Sequence, residues 1–437
     1  MFLTVCSNVV IGACLYGANH TDVLEAANEN TRTLNSAFAS HRMVTVDAGH
    51  YPVMGGVAAR DLTNFTFDLQ GVLDFGMCTS PHGTQCAISK DDYPDDTPMF
   101  HFTNMSQFRF TSTNYQGAVF GGGGQWYGFA DLRFTDQKPV MFSMIGEPST
   151  HVEISHVRFE QSPYWTLYLE ADWVTLHHVQ IYAKSDDYLM PTVKAFNTDG
   201  IDISGNHVHI YDCVIHVGDD CVAVKGGSHW LVERVDASGL GMSLGAHGVA
   251  TNITFRDIWM ENTVRVIYIK CEAHDILYQN ITVGEASWFP IWVGPAYQFL
   301  TGDCPLIWPL ISTAVTASVS EAVYGDPLHL NGVCRSSDSS FGTNIRLVDV
   351  WVQKSVTTPI VLLGNEKQYE LELTNVRFGE TAQSKFPYSN ESACENAVVN
   401  GVSCERQNCT EHGDRDPVIP CCGEYDPRGG GHWGTCT

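Results

Sequence analysis

Basic side chains are scarce in this sequence. Lys and Arg number 24 against 49 Asp and Glu, a formal charge of -25 over 437 residues. That balance excludes nucleic acid as a partner, because binding a phosphate backbone relies on cations that displace its counterions. It also sits awkwardly with an acidic polymer unless basic groups are focused in a cleft. Long apolar runs are missing too. Met1 to Ala18 is apolar and uncharged but too short to span a bilayer. It reads as the core of a secretory signal peptide without the usual basic start, with a strand capping the N-terminal end of the fold as the alternative. No other stretch approaches membrane-spanning length, so no membrane association is expected. Cys-x-x-Cys pairs and clusters of His in ligand spacing are absent as well, which favours disulfides over zinc for the 15 cysteines.

What the chain has is a repeat. Apolar side chains recur with gaps of two, three and two at Val152-Ile154-Val157-Phe159 and Val174-Leu176-Val179-Ile181. The unit returns from Val208, Trp230, Ile253, Ile276, Ile345 and Leu371. Successive starts advance by 22, 34, 22, 23, 23, 69 and 26 residues, with the 34 one repeat plus an insertion and the 69 three periods of 23. Two short strands joined by a slip in the alternation, at a period in the low twenties, predict an all-β fold, a single-stranded parallel β-helix. A β-sandwich predicts hairpin turns rather than a fixed unit. The helix-like stretch Asp22 to Phe38 is placed to cap one end, ahead of alternating strands at Val44-Val46 and Phe65-Phe67-Leu69.

The repeat gathers acids. Asp199 lies nine residues before Val208, and Asp220 ten before Trp230. They therefore share a phase on adjacent coils, with Asp219 beside them. Lys270, six residues before Ile276, falls near the same phase two coils on. Each stretch taken alone, Asn197-Thr198-Asp199-Gly200 or Gly218-Asp219-Asp220, is an ordinary turn sequence. Their coincidence in phase points to a catalytic wall. Lys225 reads as a charge at the solenoid edge, and Gly121 to Gly124 with Trp126 reads either as a sugar-binding loop or as a plain turn with a buried Trp.

The domain plan is a possible signal peptide at 1–18, a β-helix at 19–380 with an inserted loop at 295–340, and a Cys-rich tail at 381–437 packing on the last coil. Cys304 and Cys334 would tie the inserted loop. Sequons at Asn19, Asn64, Asn104, Asn252, Asn280, Asn390 and Asn408 fit a secreted, extracellular glycoprotein.

Asn197-Thr198-Asp199-Gly200, Gly218-Asp219-Asp220-Cys221, the Gly239 to Gly245 segment and Tyr268-Ile269-Lys270 resemble, in order and spacing, the four active-site motifs of glycoside hydrolase family 28. This is the polygalacturonase and rhamnogalacturonan hydrolase family. The resemblance implies a right-handed β-helix and inverting hydrolysis of pectic polysaccharide with no metal and no cofactor; as a capped solenoid the chain is expected to be a monomer. It casts Asp219 as general acid and Asp199 and Asp220 as the pair that activates water, the carboxyls standing about 6.5–9.5 Å apart. Asn197, Gly241, Tyr268 and Lys270 would contact or orient substrate. Ser162-Pro163-Tyr164-Trp165-Thr166 also resembles a family segment.

Two positions depart from the pattern. Leu240 stands where the family has His, and Tyr268 where it has Arg. Neither can supply the charged hydrogen bonds of the residue it replaces. The reading is thus a pectic hydrolase with rhamnogalacturonan or another mixed polymer favoured over homogalacturonan. A catalytically impaired β-helix that binds glycan, a hydrolase of a different uronic-acid or neutral polysaccharide, and a calcium-dependent lyase are the alternatives. His247 could replace the missing His or lie on a surface loop. Cys221 would pair with Cys213 or stay free and buried.

Overall fold

The computed structural model describes residues 7–9, 20–78, 86–94, 97–127, 138–185, 195–245, 248–287, 289–294, 341–355, 360–364, 367–381, 393–395 and 397–404. The chain divides into two compact units, Met1–Gly241 and Met242–Thr437. Each is built from coils of a right-handed parallel β-helix.

The two-three-two unit sets the stacking register. In the first unit Val152 pairs with Val174, Val174 with Val208, and Val208 with Trp230. In the second, Ile253 pairs with Ile276, Ile276 with Ile345, and Ile345 with Leu371. Ile276 lies directly on Ile345, so the 69-residue interval is one coil carrying a long insertion, not three coils. Residues 295–340 of that insertion, with Cys304 and Cys334, lie outside the described residues, as does His247.

The gap of three has a backbone cause. In all eight repeats the residue four after the first apolar position is left-handed, with φ between 52° and 58°: His156, His178, Asp212, Arg234, Asp257, Asn280, Asp349 and Asn375. A left-handed residue turns the chain without ending the strand and shifts the inward alternation by one. Asp, Asn and His tolerate that region better than most side chains. A second left-handed corner precedes the first apolar position at His151, Trp173, His207, His229, Asn252, Asp275 and Asn344. Corner side chains stack from coil to coil. Asn280 Nδ2 donates to Asp257 and Asn344 Nδ2 to Asp275, each at 2.6 Å, while Trp173 lies 3.9 Å from the His207 ring.

Coils that the repeat pattern misses precede Val152. Phe65 pairs with Phe108 and Phe108 with Val152, and one coil earlier still Met43–Val46 lies on Thr66–Leu69. The helix His20–Ser40 buries Val23, Ala27, Leu34 and Phe38. Phe38 meets Phe65 and Phe67 edge-on at 5.4 and 5.1 Å. Ser7–Val9 forms a short parallel strand on Val44–Val46. In the second unit Ala397–Val399 continues the ladder on Tyr369–Leu371 and then folds back as a hairpin with Val402–Cys404. No described helix is long and apolar enough to cross a membrane.

Cys78 and Cys86 form a disulfide, whereas Cys213 and Cys221 are free and buried. Burial pushes both of these thiols up to about 12, which leaves them as inert core side chains. Trp126 is buried and meets Tyr93 edge-on at 5.9 Å, so the Gly121–Gly124 segment is a turn over a core Trp rather than a sugar platform.

Candidate active site

The first unit holds the acids. Ile201 pairs with Val222 in the parallel ladder, which sets Asp199 level with Asp220 on the next coil. Close packing of the two coils explains the flanking glycines. A Cβ on Gly218 would stand 2.3 Å from the Ala195 carbonyl oxygen, and one on Gly200 2.6 Å from that of Cys221. The buried Thr198 hydroxyl lies within hydrogen-bond reach of the Ala183 and Ala195 carbonyls and accepts the Gly218 N–H. These contacts fix both acid-bearing turns.

Asp199, Asp219 and Asp220 each offer a carboxylate oxygen within 4.8 Å of the others, and all three are buried. The oxygens stand closer than the separation of about 6.5–9.5 Å expected for inversion, because a parallel stack spaces equivalent positions at roughly 4.8 Å. Distance alone therefore does not select the stereochemical course. Asp219 accepts two backbone N–H groups, from Asn197 to Oδ2 and from Asp220 to Oδ1, both at 2.9 Å. Asn197 thus meets the Asp219 carboxylate through its backbone N–H, at a left-handed φ of 58°.

Two charged residues that the sequence does not assign to the site belong to it. Lys225 Nζ lies 2.6 Å from Asp202 Oδ1, 3.8 Å from Asp199 Oδ2 and 4.6 Å from the centre of the Trp165 ring. Asp202 is fully buried. The expectation of an edge charge at Lys225 is corrected, and the reason is a bulge. The ladder steps from Ile203–Val224 to Ser204–Gly226, so Lys225 is the extra residue and its side chain is re-aimed. Burial alone would lower the Lys225 pKa. The Asp202, Asp199 and Asp220 carboxylates outweigh it and keep the ammonium protonated.

Asp199 is held well above the usual carboxylate range, first by burial, then by Asp202 and Asp219, against the opposing pull of Lys225. Its Oδ1 accepts no hydrogen bond among the described residues. Desolvation and the same acids also raise the nearby Tyr164 hydroxyl. Leu240 donates its backbone N–H to the Asp219 carbonyl at 2.7 Å, and Gly241 opens the strand Gly241–Leu244 at a left-handed φ of 102°.

Tyr268 and Lys270 lie in the second unit. Tyr268 is buried, and its ring carries Lys270 Nζ at 4.3 Å and the Arg265 guanidinium at 4.1 Å. Arg265 is itself buried and lies 5.5 Å from the Trp292 ring. Its position three residues before Tyr268 gave no signal in the motif.

The family model for glycosyl hydrolases family 28 matches residues 62–304, more than half of the sequence. The chain belongs to that family. Among curated relatives, a probable exopolygalacturonase C of Neosartorya fischeri is 28% identical over 166 residues, 34% of this chain and 36% of that protein. A probable rhamnogalacturonase E of Aspergillus oryzae is 26% identical over 251 residues, 54% of this chain and 51% of that protein. The match thus spans about half the length of these relatives or less. Of solved structures, the family 28 chain is similar to the endo-xylogalacturonan hydrolase of Aspergillus tubingensis. The TM-score is 0.62 at 15% identity, over 94% of this chain and 100% of that one. Erwinia carotovora polygalacturonase gives a TM-score of 0.54 at 16% identity, over 90% and 96%. At such identities the likeness concerns the fold.

Proposed function

We propose that this chain is a secreted, monomeric hydrolase of pectic polysaccharide, working by inversion with Asp219 as general acid and Asp199 and Asp220 activating water. The observation that carries the reading is the convergence of three buried carboxylates from adjacent coils. A purely structural solenoid gains nothing from such a cluster, since like charges in a desolvated wall repel. Carboxyls this close share protons as one group, so one stays protonated to serve the leaving oxygen while another is free to accept from water. Asp199 Oδ1 is suited to that acceptance once the proton of the cluster rests on a neighbour, and Lys225 partly offsets the burial and the adjacent acids that favour the protonated form of Asp199. In this reading Lys270 meets a uronate or ring hydroxyl, and Tyr268 and Arg265 position it from behind.

Leu240 and Tyr268 favour rhamnogalacturonan or another mixed polymer over homogalacturonan, because a galacturonate carboxylate beyond the cut would lack its usual charged partners. The relatives include both a probable exopolygalacturonase and a probable rhamnogalacturonase.

The test is product analysis by mass spectrometry against homogalacturonan, xylogalacturonan and rhamnogalacturonan, with proton NMR of the first anomer released and Asp219→Asn as control. Saturated products of inverted configuration from one polymer, lowered on the order of 10²–10⁴-fold by the substitution, are expected. Retained configuration would reject inversion. Unsaturated, calcium-dependent products would mean a lyase, and binding without release would mean a glycan-binding protein.

A further inference from the structure

Half a coil from the acids, the first unit carries a second cluster of chemistry-bearing side chains. His178 follows Val174 by four residues, whereas Asp199 precedes Val208 by nine. No His cluster is visible in the linear sequence, yet the register creates one. His156 and His178 occupy the same left-handed corner on adjacent coils, with φ of 58° and 53°, and His177 precedes the second.

One ring nitrogen from each of His156, His177 and His178 lies within 4.8 Å of the other two. His177 Nδ1 and His178 Nδ1 are 3.0 Å apart. Two imidazoles bound to one tetrahedral ion at 2.0–2.1 Å would hold their nitrogens roughly 3.3 Å apart, so the pair is already at ligand spacing. Glu153 Oε1 lies 3.6 Å from His177 Nε2. A carboxylate at the far nitrogen is the outer partner that orients a metal-bound imidazole and leaves Nδ1 as the donor atom. The rings are held from the sides. Tyr115 meets His156 edge-on at 4.7 Å, and Tyr211 stacks on His177 at 5.1 Å. His178 is exposed, which leaves a side open for water as a fourth ligand.

We propose that His156, His177 and His178 form a binding site for a divalent transition-metal ion of the zinc type, which clamps two adjacent coils together. Imidazole nitrogen is a donor that suits zinc, copper and nickel over calcium or magnesium. Arg109, paired with Glu153 at 2.9 Å, is the one cation that the structure places next to this carboxylate among the described residues.

The test uses the full chain without a polyhistidine tag, stripped with chelator and dialysed against Zn²⁺ alone, with Co²⁺ absorption reporting coordination number. The expected result is one ion per chain with tetrahedral Co²⁺ bands. His178→Gln and His156→Gln should each weaken binding by at least ~10-fold, and Glu153→Gln by a smaller factor. His207→Gln, in the neighbouring ring stack, should bind as the parent does. Because His178 is exposed, its substitution leaves the core intact. Absence of stoichiometric binding, or binding unchanged in both His variants, would overturn the proposal. So would loss in Asp220→Asn instead, which would place the ion among the carboxylates.

Discussion

A half-buried ammonium among carboxylates offsets their mutual repulsion, and Lys225 does this for Asp202 and Asp199. Replacing it by Met strands a fully buried carboxylate beside an apolar side chain, so unfolding should cost about 3–5 kcal/mol less in urea titrations. Adding Asp202→Asn should recover part of the loss, because the stranded charge disappears with it. Asp199 makes a separate prediction about pH. Its pKa is raised on folding, so the native chain holds a proton that the unfolded chain releases near the ordinary value of about 3.9. Its contribution is fully present below that value and is lost as pH rises through the folded pKa. Asp199→Asn, which cannot ionise, should therefore melt higher than the parent at pH 7, with the gap shrinking toward pH 4. A gap that widens on acidification would contradict the raised pKa. The phase of Asp199 and Asp220 was legible in the sequence because both sit in coils whose repeat is intact. Lys225 was not, because a bulge breaks the alternation that would have located it.

The corner is the element on which the coil depends. The two-three-two spacing was readable since each gap of three hides one left-handed residue, mostly Asn, Asp or His. The coils before Val152 lack the two-three-two spacing because their two strands stand further apart, although the alternation of Val44-Val46 and Phe65-Phe67-Leu69 is legible there. Ser112 to Gly117 intervenes between Phe110 and Ala118, held by Asp68, which accepts from Thr113, and by Asn114, which donates to the Gln70 carbonyl. The corner also yields a test. Asn280→Val puts a β-branched residue at φ 52° and removes the amide bond to Asp257, and should destabilise by about 1–3 kcal/mol in chemical denaturation. Asn280→Gly, which accepts the conformation, should cost less. The two metal ligands at corners, His156 and His178, were invisible for the opposite reason: 22 residues separate them along the chain, and only the coil register makes them neighbours.

At the scale of the molecule, a solenoid draws its stability from contacts between neighbours, so its ends matter more than those of a globular core. Phe38, in the capping helix, closes the first unit against Phe65, Phe67 and Phe102. Phe38→Ala should lower stability by about 3–5 kcal/mol and, followed by hydrogen exchange, should loosen the first coils before those that carry the acids. Uniform loss of protection would argue against that order. The register of the stack has one more consequence, for how such a chain can change over generations. Within this stack a side chain has an address of two numbers, which coil and which phase, and each coil adds a step of roughly 4.8 Å. Duplicating one whole coil between Asp199 and Asp220 would preserve every kind of ladder bond and still carry the acids one step further apart. Insertions of that length are nearly silent to folding and decisive for chemistry. Lineages of this fold would accordingly be expected to lengthen at their ends and in their loops, and to keep the interval between these two acids fixed at one coil.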